Sequence, residues 1–138
     1  MFSIENTIII AIIISGIHLI ISFSLKLAEK YKKSIRIYSV LINLAFLGLL
    51  IGFYIFSKTS SANLGIDFYL NALVSLYFLL FLPLELVLLG IFSKWIMKAD
   101  IYSKFLKYTL IAGNAVLLAS LLLLGYPIFI LTFYGFAP

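Results

Sequence analysis

The chain has 138 residues, of which 64% are hydrophobic and 11% charged, with a net charge of +5 and no cysteine. Soluble domains are about half apolar and a quarter charged, so this composition excludes a water-clad globule and leaves no room for a separate soluble domain. The missing cysteines exclude disulfides, thiolate metal sites, iron–sulfur ligation and thiol catalysis, while the basic residues lie in two short clusters between apolar runs, a topology signal rather than a nucleic-acid footprint.

Met1 to Asn6 carries Glu5 and no Lys or Arg, and no small-x-small site precedes the first basic cluster, so the start does not read as a cleavable signal peptide. The first apolar run, Thr7 to Leu25, is close to the ~20 residues that cross a ~30 Å hydrocarbon core as a helix. Along it Ala11, Ser15, His18 and Ser22 recur at helical spacing and define one small, polar face, expected to point inward. His18 precedes Lys26 by eight positions, which at helical rise puts it roughly 12 Å inside the membrane boundary. Imidazole is a good haem or metal ligand. With one histidine in the chain, a bis-histidine haem needs a ring from another copy or subunit, so the expectation is a packed, hydrogen-bonded histidine and no cofactor.

The first basic loop holds Lys26, Lys30, Lys32, Lys33 and Arg36, and the second apolar run follows from Ile37 to Phe56. Asn43 lies seven positions beyond Arg36. Gly48 and Gly52 form a Gly-x-x-x-Gly step that lets another helix approach closely, by default one of this chain. The second loop is a turn-forming Ser-Lys-Thr-Ser-Ser-Ala-Asn-Leu-Gly stretch with Lys58 balanced by Asp67.

In the third run, Phe68 to Phe92, Asn71, Ser75 and Glu85 share a helical face, and Glu85 stands nine positions before Lys94. That places a carboxyl group roughly 13 Å deep, where its charged form costs at least about 2.5 to 3.5 kcal/mol. It should therefore be protonated, paired or in a wet cavity. Pro83 cannot donate to the carbonyl of Leu79, which leaves a kink and a free acceptor for a protonated Glu85 or a water. The third loop sets Lys94, Lys98, Lys104 and Lys107 among Trp95, Ile96, Ile101, Tyr102, Phe105 and Leu106, a mixture that lies on a membrane surface or continues the helices. The fourth run, Tyr108 to Phe136, carries Asn114 seven positions beyond Lys107 and a bend signal at Gly125-Tyr126-Pro127.

These features predict an all-α, four-helix transmembrane bundle of two tandem hairpins in the cell membrane. Loops 26–36 and 94–107 hold nine of the ten basic residues, so they are expected in the cytoplasm and both termini outside. Aromatic residues mark the two interfaces: Phe53, Tyr54, Phe56, Phe68, Tyr69, Phe133 and Tyr134 outside, and Tyr31, Tyr38, Trp95, Tyr102 and Tyr108 inside. The halves also share an order of features. Asn6, His18, Lys26, Tyr38-Ser39, Asn43 and Gly52 answer to Asn71, Glu85, Lys94, Tyr108-Thr109, Asn114 and Gly125, the pattern of a parallel duplication.

Counting from the basic residues puts His18, Asn43, Glu85 and Asn114 at one depth, so a polar layer within the bundle is expected there. No serine has a general base beside it other than His18, and no phosphate-binding loop is present, so the chain does not read as an enzyme. Its expected partners are lipid and other membrane subunits or further copies of itself. The expected role is an accessory or scaffold subunit of a larger membrane complex, such as an energy-transducing one. The alternative is an ion- or proton-coupled transporter or channel subunit using Glu85 and His18.

Overall fold

The computed structural model describes residues 4–59, 66–101 and 103–134. Within them the chain forms four α-helices: α1 (Ile4–Ser24), α2 (Glu29–Thr59), α3 (Ile66–Lys98) and α4 (Lys104–Tyr134). Each is long and apolar enough to cross a membrane. Much of the expected turn between α2 and α3, Tyr102 and the expected end of the fourth helix at Phe136 fall outside the described residues, as do the side chains of Glu5, Lys58 and Tyr134.

The helices outrun the apolar segments. α2 begins at Glu29 rather than at Ile37, and α3 continues to Lys98 rather than ending at Phe92. Hydropathy measures only the greasy part of a helix, whereas Lys, Glu and Arg are good helix formers that carry it on into a polar layer. The first basic loop thereby shrinks to residues 25–28, and most of its cations ride on the first turns of α2. Lys32 pairs there with Glu29 at 2.9 Å. Arg36 on α2 and Lys107 on α4 serve neighbouring helix ends, whose last carbonyls have no partner within the helix. Arg36 donates to the carbonyl of Phe23 at 3.2 Å, with its guanidinium 5.0 Å from the Phe23 ring, and Lys107 donates to the carbonyl of Met97 at 2.9 Å. Lys26, Lys30, Lys33, Lys94, Lys98 and Lys104 are exposed.

The distribution of polarity is the reverse of that in a water-soluble bundle. On α1 the buried face is Thr7, Ala11, Ser15, His18 and Ser22, while Ile9, Ile12, Ile13, Ile17 and Ile20 are all more than half exposed. The other helices likewise turn large apolar residues outward, among them Leu41, Leu44, Leu86, Leu123 and Leu131.

Consecutive helices pack on one another, α1 on α2, α2 on α3 and α3 on α4. α2 also reaches α4, because Phe46 lies 5.6 Å from the Phe129 ring and 5.2 Å from that of Phe133. Around Phe46 the interior is aliphatic and aromatic, built from Leu50, Tyr69, Leu73, Tyr77, Phe129 and Phe133. Nearer the 25–28 turn the interior is polar, with Ser15, His18, Ser22, Ser39 and Asn43 all buried. Pro83 and Pro127 sit inside α3 and α4, and both helices run through them without a break.

Candidate functional site

The polar interior centres on His18. Its Nε2 lies 2.9 Å from the carbonyl oxygen of Leu80 on α3, and its Nδ1 lies 2.8 Å from the side-chain nitrogen of Asn43 on α2. A carbonyl can only accept and an amide nitrogen can only donate, so the ring is held as the neutral Nε2–H tautomer. Asn43 uses its second amide hydrogen on the carbonyl of Ser39 at 2.7 Å, which fixes the orientation of its side chain. One imidazole thus ties together three helices.

Pro83 shapes the same region. Leu79 lies four residues before it and lacks the usual helical donor. That carbonyl accepts a hydrogen bond from the Tyr38 hydroxyl of α2 at 2.6 Å. The sequence leaves this acceptor open to a protonated Glu85 or a water, and α2 supplies it with a donor. Beside these bonds a cavity of about 30 Å³ is lined by His18, Ser22, Tyr38, Ser39, Leu80 and Pro83 among others. The hydroxyls of Thr7, Ser15 and Ser22 and the Asn43 side-chain oxygen are buried without a partner.

Two further cross-helix bonds follow the same plan of a ring donor on a backbone carbonyl. Tyr69 of α3 reaches the carbonyl of Phe133 at 3.0 Å, and Tyr77 of α3 reaches that of Leu122 at 2.5 Å. Sequence reasoning placed Tyr38 and Tyr69 at interfaces as belt residues and did not single out Tyr77. The available signal was the hydroxyl itself, which needs an acceptor when its ring is buried.

Of the four residues expected in one layer, His18 and Asn43 are hydrogen-bonded to each other, and Glu85 and Asn114 take no part in that bonding. Leu80, Pro83, Leu84 and Val87 form the face of α3 that borders the His18 cavity, and Glu85 is turned about 100° from Leu84 around the helix. Glu85 lines a groove between α3 and α4. No hydrogen bond from the described residues reaches its carboxyl. Asn114 is half-buried on α4, with its side-chain nitrogen unpartnered.

Gly48 and Gly52 depart from the expected packing within the chain. A Cβ built on either meets nothing within 4 Å, so no helix among the described residues closes on them. They line a groove of about 490 Å³ with Leu49, Phe53, Phe56, Phe68 and Tyr69. The reason is angular: α2 buries Phe46 and Leu50, and a residue two positions on is turned about 200° away. Among the described glycines Gly125 is the one tightly approached, since a Cβ there would stand 2.7 Å from the Tyr77 hydroxyl.

Among the described residues no three of His, Asp or Glu gather as a metal-binding group. No protein-family model, no curated protein and no solved structure matches the chain.

Proposed function

We propose that the chain is a four-span integral membrane subunit whose role is to support a larger membrane assembly rather than to perform chemistry. One observation supports this reading above the others. Five side-chain donors, those of His18, Asn43, Tyr38, Tyr69 and Tyr77, hold helix to helix, while the outer surface is apolar and carries the Gly48/Gly52 groove. A rigid interior with adhesive outer faces suits a scaffold that packs on lipid and on other subunits. Both termini lie outside and the 25–28 and 99–103 turns in the cytoplasm, because the basic residues flank those turns.

The test is native mass measurement after gentle solubilisation from its own membranes. A fixed stoichiometry with unrelated subunits is expected; recovery of the chain alone or only as a homo-oligomer overturns the accessory role. A second reading, an ion- or proton-coupled subunit, draws on one specific feature, Glu85 in the α3–α4 groove with no hydrogen bond from the described residues. Under that reading Glu85→Gln abolishes flux and preserves assembly, and unchanged flux removes it.

A further inference from the structure

On α3, Leu82, Glu85, Leu86 and Leu89 line one wall of the α3–α4 groove, whose volume is about 220 Å³. Their spacing of i, i+3, i+4 and i+7 is a single stripe of a helix. The facing wall on α4 carries Ala115, Leu118, Ala119 and Leu122, also one stripe. Two stripes side by side make a trough roughly 10 Å long, the rise of seven residues, and it has the shape that receives a third helix. Ala115 and Ala119 lower the α4 wall at two positions, where a third backbone can come close.

The trough is formed in advance. Tyr77 holds the carbonyl of Leu122 at 2.5 Å, and Gly125 makes room for that hydroxyl, which fixes the separation of α3 and α4 at one end of the groove. Glu85 is the polar member of an otherwise apolar lining. A charged carboxyl group at this depth that receives no hydrogen bond from the described residues is costly against lipid, and a basic donor from outside offsets that cost.

The charge distribution of the chain selects the kind of donor. All its Lys and Arg residues lie toward helix ends or in turns, and His18 has both ring nitrogens engaged. A second copy therefore brings no free cation to the level of Glu85. We propose that the α3–α4 trough docks a transmembrane helix of a different subunit, which presents a basic side chain to Glu85. This rests on the accessory-subunit reading and names the surface and the chemistry of the contact.

The experiment places a photo-crosslinking residue at Leu86 or Leu89 in the trough and, separately, at Ile12 on the exposed face of α1, in native membranes. Trough positions are expected to capture a membrane segment of another subunit with a Lys or Arg within one helical turn of the captured residue. Glu85→Gln and Glu85→Leu should lower recovery of that subunit by about tenfold or more, with the melting temperature of the isolated chain unchanged. Glu85→Lys combined with an acidic replacement of the captured basic residue should restore it. Capture of a second copy, of lipid alone, or of a segment without a basic residue overturns the trough proposal, as does capture only from Ile12. In those cases stoichiometric co-purification still upholds the accessory role, whereas absence of any co-purifying subunit overturns both.

Discussion

A neutral imidazole flanked by a carbonyl and an amide performs the same task here as the tyrosine hydroxyls, which is to place a donor on a backbone acceptor of a neighbouring helix. The Leu79 carbonyl is the clearest case, because Pro83 creates the vacancy and Tyr38 fills it from α2. Tyr38→Phe should lower stability by about 0.6 to 1.7 kcal/mol, the range of membrane helix–helix hydrogen bonds. The loss should fall by half or more in a Pro83→Ala background, where the restored N–H serves the carbonyl from within α3. Unfolding in mixed micelles across the four-member cycle measures this coupling, and equal losses in both backgrounds contradict the assignment. Pro83 was legible in the sequence as a source of a free acceptor. Its donor was not, because which helix stands beside Leu79 is a tertiary fact.

Glycines at the scale of the helix show how one residue type takes opposite roles according to its angular position. Gly125 faces Tyr77 at a distance that a Cβ cannot share. Gly125→Ala should displace the Tyr77 hydroxyl from Leu122 and destabilise the chain by about 1 to 3 kcal/mol, the usual range for overpacking. Gly48→Ala and Gly52→Ala meet open space. Each should leave the isolated chain unchanged or stabilise it by up to about 1 kcal/mol through helix propensity. Melting temperatures of the three purified variants decide the matter, and a reversed order would show that the α2 glycines are packed within the chain. The spacing Gly-x-x-x-Gly was plain in the sequence, whereas the side of α2 that meets its neighbours depends on where Phe46 and Leu50 are buried.

The topology belongs to the whole molecule and rests on where the basic residues lie. Since the chain has no cysteine, single cysteines can be introduced at Lys32, Lys98 and Asp67 without background. A membrane-impermeant maleimide should label Asp67→Cys in intact cells, and Lys32→Cys and Lys98→Cys only after the membrane is opened. Labelling of Lys32→Cys and Lys98→Cys from opposite sides refutes the arrangement. The inverted polarity, with Ser15, His18 and Ser22 inside and the isoleucines of α1 outside, makes the same demand on the solvent. A surface of that kind is stable against hydrocarbon or protein and unstable against water.

The order and number of the long apolar helices, and the inward stripe of α1, could be read directly from the chain. Hydrophobic length and a 3.6-residue period are local properties, and each segment carries its own. Counting from the flanking basic residues puts His18, Asn43, Glu85 and Asn114 at a shared depth, yet depth is only one of the two coordinates of a residue on a helix. The other is the angle about the axis relative to neighbouring helices. Packing of α3 set it by presenting Leu80 to His18 and turning Glu85 toward α4. It was the tertiary structure that decided which polar groups meet, because that angle follows from the fit of many side chains across three interfaces at once.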